Sequence, residues 1–346
     1  MKILIPTSYI KNPYIFQLVK GLQKNKEVTI VQTLVPWLYQ DDYSFDVIHL
    51  QWPESVFLTS NYNEKDISAL ERRLLFYKNQ GARIVITVHN KVPHKGDKKK
   101  SYFLYKKVYQ YCDGVIHMGE SSKDIINKDH ADDLESARQI IIPHGNYEYF
   151  PNSVSRKQAR QYLGIPESNI VVASIGAIRS SDEYRLIKNV SKALRKRNGL
   201  LLQIGQIYST KNRIKHLITI KSLKLQKNLR QFGSYVADSE IQYYLNACDI
   251  LLVPRVNTLN SGNVALGYTF GRIVLGPDYG VIGEDLKRQG NPVFRSIDEM
   301  EVSQTLDHAI DLIHTDVGKN NKNYAIEELN WDRLTLQYLS FYKNLN

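Results

Sequence analysis

The chain has 346 residues, 42% of them apolar, and a formal net charge of +11. This length predicts two domains, and the apolar content excludes general disorder. The positive charge leaves nucleic acid, anionic lipid and phosphorylated substrates open as partners.

The sequence shows no sign of export or of a disulfide framework. No apolar run approaches the roughly 20 residues of a membrane span, and the N-terminal stretch lacks a signal-peptide pattern. Cys112 and Cys248 are the only cysteines, and neither has metal-binding spacing. We therefore expect a cytoplasmic protein without a disulfide or a structural zinc.

The first half alternates short Ile/Val-rich runs with helical patterns. The runs cover residues 2–6, 28–34, 46–50, 83–88, 114–118 and 139–143. Because they are apolar on both faces, they are typical of parallel strands covered by helices. Between them, residues 66–80 have helical spacing that places Ile67, Leu70, Leu74 and Leu75 on one face, with Gly81 after the end.

The pattern changes around residues 143–169, where turn residues surround a short helix capped by Ser155 and stopped at Gly164. A second series of apolar runs covers residues 170–176, 200–204, 228–232, 249–254 and 272–276. We predict an α/β protein with Rossmann-like domains over residues 1–150 and 169–325, joined by a linker at 151–168.

The loop after the run at 249–254 contains Asn260, Ser261, Gly262 and Asn263 and leads into a predicted helix. Ligands of open α/β sheets bind beyond the carboxyl ends of the strands, and a helix N-terminus suits an anion such as a diphosphate. A Ser/Asn helix cap without any ligand is the alternative. The position after a strand of the second half favours the anion site.

Several segments carry a family resemblance through their order and spacing. They are residues 12–15 (NPYI), 48–54 (IHLQWPE), 86–90 (ITVHN), 141–147 (IIPHGNY), 175–179 (IGAIR), 232–254, 260–274 and 330–342. Along nearly the whole chain they resemble the GT-B glycosyltransferases, in particular bacterial polysaccharide enzymes such as the xanthan glucuronosyltransferase and the large retaining family. The resemblance implies two Rossmann-like domains with parallel sheets facing across a cleft, and a terminal helix, residues 326–346, that crosses back to the first domain.

The same resemblance implies a donor site in the second half. Arg179, which follows Gly176 at the end of a strand, would bind the donor diphosphate by paired hydrogen bonds, with Arg255 at the margin of the loop at 260–263. The segment containing Ser234 and Tyr235, before a helix that we expect Asp238 to cap, would lie along the nucleotide base. For each of these residues, ordinary packing or a surface location is the alternative.

Two departures from the retaining family leave the stereochemical course open. That family usually has two glutamates eight residues apart around the loop at 260–263, where this chain has Thr258 and Leu266. It also has a lysine shortly after the arginine, for which Arg185 is the nearest substitute here. A retaining reaction would rely on the leaving phosphate, whereas an inverting one needs a general base.

Candidates for that base and for acceptor contacts lie in the first half. The resemblance places His89 near the donor sugar, and Glu54 and Glu120 are the other candidate bases, Glu120 just before a helix that we expect a serine to cap. Trp52 would stack on a sugar while Glu54 binds hydroxyl groups. Tyr14 is a further candidate acceptor contact; core packing is the alternative for both aromatic residues.

The expected substrates are a nucleoside-diphosphate sugar and a lipid-linked or growing glycan of the cell surface. We expect no cofactor and no required metal, because GT-B enzymes of this kind work without one and the chain has no D-x-D sequence or ligand spacing. Residues 91–111 combine lysines with Tyr102, Phe103, Leu104 and Tyr105. They predict peripheral contact with an anionic membrane at the inner face of the plasma membrane; a solvated helix face is the alternative.

Three other functions fit parts of the sequence. A nucleotide-sugar epimerase would share the fold but centres on other motifs. A catalytically inactive GT-B partner subunit would explain the missing glutamates and lysine. Nucleic-acid binding would use the basic residues 211–230, but no nucleic-acid-binding motif accompanies them, so we expect no nucleic-acid partner.

Overall fold

The computed structural model describes residues 1–9, 11–34, 44–57, 61–91, 97–208, 223, 225–233 and 236–345. The chain divides into two compact units: unit 1 comprises Met1–Gly145 and Asn330–Asn346, and unit 2 comprises Asn146–Leu329. The C-terminal helix therefore belongs to the unit that contains the N-terminus. The segment predicted as a linker, residues 151–168, belongs to unit 2.

The strands of unit 1 form one parallel sheet in the order β2-β1-β3-β4-β5-β6. They are β1 (Lys2–Leu4), β2 (Thr29–Val31), β3 (Val47–Leu50), β4 (Arg83–Thr87), β5 (Gly114–His117) and β6 (Arg138–Ile141). Strands β3, β4 and β5 are buried almost throughout, because helices cover both faces of such a sheet.

The strands of unit 2 form a second parallel sheet in the order β12-β11-β10-β7-β8-β9. They are β7 (Ile170–Ile175), β8 (Gly199–Ile204), β9 (Leu229–Phe232), β10 (Ile250–Leu252), β11 (Ile273–Pro277) and β12 (Val293–Phe294). Counted within the unit, this is the 3-2-1-4-5-6 order of a Rossmann fold. Of the twelve strands in the described residues, eleven lie on predicted runs; β12, with two residues, was not predicted.

The helices lie between the strands. They are α1 (Pro13–Leu22), α2 (Glu64–Asn79), α3 (Lys98–Tyr111), α4 (Glu120–His130), α5 (Arg156–Leu163), α6 (Ser181–Arg195), α7 (Ile241–Ala247), α8 (Gly262–Thr269), α9 (Gly280–Arg288), α10 (Glu299–Asp311), α11 (Val317–Glu327) and α12 (Trp331–Lys343). Short 3₁₀ turns cover Pro53–Val56, Asp132–Leu134 and Leu312–His314.

Helix α2 corrects one sequence prediction. Ile67, Leu70 and Leu74 are buried as expected, but Leu75 is 47% exposed and Tyr77 is buried in its place. At 100° per residue, positions 67, 70, 74 and 77 share one stripe, whereas position 75 lies well to one side of it.

The helix ends agree with the sequence at some positions and not at others. Ser155 caps α5, and Gly164 ends it with φ +60°, as predicted. The prediction of Asp238 as a cap was wrong, because α7 begins at Ile241 without a side-chain cap. Helix α4 has Gly119 rather than a serine at its N-cap, because the helix already begins at Glu120.

Helix α12 packs directly on α1 within unit 1. A Cβ atom added to Gly21 of α1 would lie 2.5 Å from Cγ2 of Thr335 of α12. Farther along the same pair of helices, the hydroxyl groups of Tyr14 and Tyr338 are 2.5 Å apart. Close packing of this kind fixes the position of α12 and, through Tyr14, the ends of the neighbouring strands.

Candidate functional site

The strand order of unit 2 reverses between β7 and β10, and open α/β sheets bind ligands in a crevice beyond such a point. The chain leaves β7 towards β8 on one side, while β10 continues towards β11 on the other. At such a switch point the loops diverge and leave room for a ligand. The loops that diverge here contain Gly176–Arg179 and Arg255–Asn263, so the structure brings together the two predicted donor segments.

Gly176 has a backbone conformation suited to glycine. Its φ is +111°, and an added Cβ atom would lie 2.9 Å from Nη2 of Arg255. Any side chain here would be strained and would crowd the arginine. Gly176 therefore allows the Arg255 guanidinium to lie against the end of β7.

Arg255 is buried and donates from Nη1 to the carbonyl oxygen of Ala177 at 3.0 Å and to Oε1 of Glu183 at 2.8 Å. The other carboxylate oxygen of Glu183 accepts from the backbone N–H of Arg179 at 2.6 Å. Glu183 is therefore bound to both the loop after β7 and the loop after β10. With its guanidinium engaged in this way, Arg255 supports the loop, and its direct contact with a donor stays a prediction.

Arg179 has an exposed side chain. Within the part of the chain that the structure describes, its guanidinium has no hydrogen bond or ion pair. The surrounding protein and then the Arg255 guanidinium lower the pKa of Arg179, although an arginine stays protonated at neutral pH. Both guanidinium groups lie near one buried carboxylate, with which only Arg255 is paired, so the net positive charge of this corner favours an anion.

The residues at 260–263 form the start of α8. Ser261 is the N-cap, and its Oγ accepts from the backbone N–H of Asn263. Nδ2 of Asn263 donates to the carbonyl oxygen of Ile175 at 2.6 Å, which joins this turn to the end of β7. The first N–H groups of α8 and its dipole add positive potential beside the loop of Arg179.

Ser234 and Tyr235, predicted to lie along a nucleotide base, fall outside the described residues. So do most of the basic residues at 211–230. Strand β9, which precedes Ser234 and Tyr235, ends at Phe232.

The second group of candidate residues lies beyond β3 and β4 in unit 1. His89 follows β4 and is buried. Its ring stacks on Trp52, with 3.9 Å between centroids and 18° between planes, and meets Tyr14 edge-on at 4.9 Å. The structure therefore places three of the predicted residues in one cluster.

Tyr14 is the innermost of these three residues. Its side chain is buried and its hydroxyl is hydrogen-bonded to Tyr338 of α12. In this structure Tyr14 supports the His89 ring from α1, and its contact with an acceptor stays a prediction.

The two candidate carboxylates occupy different surroundings. Glu54 lies in the turn after β3, where its Oε2 accepts from the Tyr105 hydroxyl at 3.0 Å, and burial raises the pKa of its carboxyl group. Glu120 is exposed at the start of α4, after β5. Since β4 separates β5 from β3 in the sheet, Glu120 follows a different strand from either Glu54 or His89.

His89 is neutral at physiological pH. Burial, followed by the nearby His144 and His49, lowers its pKa well below the ordinary histidine value. Its Nε2 lies 2.9 Å from Oε1 of Gln51, at the end of β3. A neutral imidazole can accept a proton, which is the property that a general base requires.

Two supporting residues were not predicted from the sequence: Glu183, which joins the two loops in unit 2, and Gln51, which is hydrogen-bonded to His89 in unit 1. Each had a usable signal. Glu183 stands four residues after Arg179 in the first turn of a helix, where a carboxylate reaches backbone N–H groups. Gln51 stands two residues after His49 on a strand, so both side chains point to the same face of the sheet.

The predicted membrane-contact segment is described from Asp97 onwards, as helix α3. Lys98, Lys99, Tyr102 and Phe103 are exposed. Leu104 and Tyr105 are buried, so only part of the predicted aromatic set reaches the surface. Among the described residues, no helix has the length and apolar character needed to cross a membrane.

Metal-binding side chains are not grouped in the parts of the chain that the structure describes. There, no cluster of three or more His, Cys, Asp or Glu residues could hold a metal ion. Cys112 and Cys248 are both buried as free thiols.

Comparison with solved structures identifies proteins of the same architecture. A sucrose-phosphate synthase from Thermosynechococcus elongatus is 14% identical, with 99% of this chain and 98% of that chain covered and a TM-score of 0.75. HepE from Anabaena in complex with UDP-glucose is 13% identical, with 99% of each chain covered and a TM-score of 0.73. A glycosyltransferase from Rickettsia africae is 14% identical, with 99% and 98% covered and a TM-score of 0.68.

At these identities the likeness concerns the fold, and over almost the full length of the chain it is the GT-B fold. The predicted fold class is therefore confirmed. No protein-family model matches the sequence, and no curated protein matches it.

Proposed function

We propose that this protein transfers a sugar from a nucleoside-diphosphate sugar to a hydroxyl group of a glycan acceptor. The observation that carries the proposal is the switch point of unit 2, where the Arg179 guanidinium, which has no ion pair among the described residues, lies beyond β7 and the start of α8 lies beyond β10. The full-length similarity to sucrose-phosphate synthase and to HepE in complex with UDP-glucose supports it.

The chemistry places charge on the departing group. The acceptor oxygen bonds to C1 of the sugar while the bond from C1 to the diphosphate oxygen breaks, and the diphosphate leaves with the bonding electron pair. The acceptor hydroxyl releases its proton to a base. Arg179 would offer paired N–H donors to the phosphate oxygens, and the first N–H groups of α8 would bind the same group, so both stabilise the charge that develops.

We propose that the reaction needs no divalent ion, because Arg179 and the helix N-terminus supply the positive charge that a metal would otherwise provide. Activity should therefore be unchanged by a chelator. An absolute requirement for added magnesium or manganese would contradict this part of the proposal.

The direct test is calorimetric titration of the full chain with UDP, GDP, ADP and CMP. One nucleoside diphosphate should bind selectively, and both Arg179→Ala and Gly262→Val should weaken that binding at least 10-fold. Arg185→Ala is the matched control, because Arg185 is exposed and pairs with Asp182 on α6. Failure of all four nucleotides to bind, or equal binding by Arg179→Ala, would contradict the proposed donor site.

We propose further that the acceptor is lipid-linked and belongs to surface polysaccharide assembly on the cytoplasmic face of the membrane. Helix α3 supports this, because Lys98 and Lys99 are exposed in its first turn, and the exposed Phe103 ring has Lys107 Nζ 5.6 Å from its centroid. A basic face with an exposed aromatic ring suits an anionic bilayer surface.

Sedimentation with vesicles tests that surface. Phosphatidylglycerol vesicles should retain the protein and phosphatidylcholine vesicles should not, and Lys98→Glu/Lys99→Glu should abolish retention. Lys319→Glu/Lys322→Glu on α11 makes the same charge change at exposed positions of unit 2 and is the control. Equal losses in both double variants would point to net charge rather than to helix α3.

A catalytically inactive partner subunit is the second candidate. It is favoured by Thr258 and Leu266 in place of the glutamates, and by Arg185, whose guanidinium is paired with Asp182 rather than available as a substitute lysine. Slow hydrolysis of the selected nucleotide sugar by the purified protein would establish catalysis. Tight nucleotide binding without any turnover would favour the partner subunit.

A further inference from the structure

A continuous series of buried polar side chains leads from His89 into the protein. His89 Nε2 lies 2.9 Å from Gln51 Oε1, and Gln51 Nε2 lies 3.0 Å from His49 Nε2. His49 Nδ1 in turn lies 2.7 Å from the hydroxyl of Tyr342 on α12. The series therefore joins the ends of β3 and β4 to the C-terminal helix, all within unit 1.

These groups are placed where water cannot replace a missing partner. His49 and Gln51 are almost completely buried, as is Thr87, whose Oγ1 lies 2.8 Å from His49 Nε2. A buried polar group without a hydrogen bond destabilises the folded state, because it has lost its hydrogen bonds to water. Several polar groups at the centre of a sheet are therefore expected to persist only as a mutually satisfied set.

An amide gives such a set a direction. The oxygen of Gln51 can only accept a hydrogen bond and its nitrogen can only donate one. Since the oxygen faces His89, the proton of the neutral His89 ring must be on Nε2. The nitrogen faces His49, where it lies 3.0 Å from Nε2 and 3.2 Å from Nδ1 and can donate to the ring nitrogen that holds the lone pair.

The protonation state of Nδ1, the second nitrogen of the His89 ring, follows from this assignment. A neutral imidazole carries one proton, so with the proton on Nε2 the Nδ1 atom holds the lone pair. The stacked Trp52 and the perpendicular Tyr14 fix the plane of the ring, and Gln51 fixes its rotation within that plane. Both the orientation and the tautomer of His89 are set by neighbouring side chains.

We propose that Gln51 is a positioning residue that holds His89 in the Nε2–H tautomer, with Nδ1 as the atom that takes the proton from the acceptor hydroxyl. The inference rests on the proposed transferase function for the identity of that hydroxyl. In the opposite tautomer, Nδ1 would carry a proton and could not act as a base, so one amide decides whether the histidine is competent.

The tautomer can be measured without any substrate. In the full chain labelled with ¹⁵N-histidine, long-range proton–nitrogen correlation distinguishes the protonated ring nitrogen from the unprotonated one. The chain has nine histidines, and His89→Asn identifies the signals of His89 by their loss. We expect Nε2 protonated and Nδ1 unprotonated at pH 7; a proton on Nδ1 would overturn the proposal.

Two substitutions at position 51 separate positioning from packing. Gln51→Leu keeps the approximate size but removes the acceptor, and should produce a mixture of tautomers with kcat lowered 10-fold or more and KM little changed. Gln51→Glu keeps an acceptor for Nε2–H and should retain the tautomer. If Gln51→Leu leaves both the tautomer and kcat as in the wild type, the amide only packs.

Tyr342→Phe supplies a second measurement should Gln51→Leu not fold. Removing the hydroxyl takes away the hydrogen-bond partner of His49 Nδ1 at the far end of the series, and should shift part of the His89 population away from Nε2–H. Unchanged His89 signals in Tyr342→Phe would contradict the proposal that the series of hydrogen bonds sets the His89 tautomer. If the protein binds a nucleotide but His89 carries its proton on Nδ1, only the positioning role of Gln51 is refuted. If His89 has the predicted tautomer but the protein binds no nucleotide, only the transferase function is refuted.

Discussion

Arg255 and Glu183 form a buried ion pair, with 2.8 Å between Nη1 and Oε1, at the point where the strand order of unit 2 reverses. Glu183 also accepts the backbone N–H of Arg179, and Arg255 also donates to the carbonyl oxygen of Ala177. The pair thus fixes the backbone of the loop that carries Arg179. A rigid loop positions the Arg179 guanidinium before any anion arrives, which reduces the entropy lost on binding.

Removing one partner of this pair should be strongly destabilising. Glu183→Ala leaves the Arg255 guanidinium buried without its carboxylate, a change that costs about 3–5 kcal/mol in comparable pairs. Urea unfolding should show this loss in the free energy of unfolding. Replacing both partners, as Glu183→Leu/Arg255→Met, should restore part of it, and a single variant as stable as the wild type would contradict the role of the pair.

Substitution of Arg179 should separate binding from stability. Its side chain is exposed and makes no ion pair among the described residues, so Arg179→Lys should change the free energy of unfolding by less than about 0.5 kcal/mol. Lysine keeps the charge but not the paired N–H geometry. The affinity of Arg179→Lys for the nucleoside diphosphate should therefore lie between those of the wild type and Arg179→Ala. In the wild type and in Arg179→Lys, which both carry a charge at position 179, the affinity should fall with added salt.

That comparison is best made by calorimetry at two salt concentrations. The nucleotide affinity of Arg179→Ala, which has no charge at position 179, should depend least on salt. If Arg179→Lys binds no better than Arg179→Ala, charge alone does not explain the contribution of the residue.

The sequence was informative about the fold because the buried strands are nearly all aliphatic. Runs such as residues 83–88 and 170–176 are typical of parallel strands, because helices cover both faces of such a sheet. Strand β12 was missed because Val293–Phe294 is too short to form a run. Leu75 was misassigned because a pair of adjacent leucines can place only one member on the buried stripe of a helix.

The candidate sites were predictable only in part, for a different reason. Strand ends and glycine turns identify loops, so Arg179, Ser261 and His89 could be named from the sequence. Their supporting residues depend on contacts between segments far apart in the chain, such as His49 with Tyr342. Local spacing does not report such contacts, so the partners of Glu183 and Gln51 were established only by the structure, although each residue follows a recognisable local spacing.

Packing of the C-terminal helix on α1 predicts the effect of a small substitution. Gly21→Ala improves helix propensity by roughly 1 kcal/mol, but its Cβ would lie 2.5 Å from Cγ2 of Thr335. Overpacking of this kind typically costs about 1–3 kcal/mol. The variant should therefore have a lower melting temperature than the wild type.

A double-mutant cycle checks that cause. Thr335→Ala removes the atom in the way, so Gly21→Ala should be less costly in that background than in the wild type. Equal costs in the two backgrounds would mean that α12 does not meet α1 at this position.

Two buried histidines predict that unit 1 loses stability in acid. Burial lowers the pKa of His49 to about 3 and that of His117 to about 4, whereas the unfolded chain has an ordinary value near 6.5. Between these limits the unfolded state binds protons that the native state does not. The contribution is therefore fully present above about pH 6.5, and is lost as the pH falls towards about 4 for His117 and about 3 for His49.

His117 offers the cleaner test, because it lies outside the series that contains His89. Its Nε2 and Nδ1 lie 3.1 Å from Gln139 Oε1 and Ser122 Oγ, respectively, and a shift of this size corresponds to about 3 kcal/mol across the window. His117→Gln should therefore lower stability at pH 7.5 while reducing the further loss between pH 6.5 and pH 4.5. Urea midpoints measured at several pH values would show a shallower slope for the variant, and parallel slopes would mean that His117 protonates as readily in the native protein as in the unfolded chain.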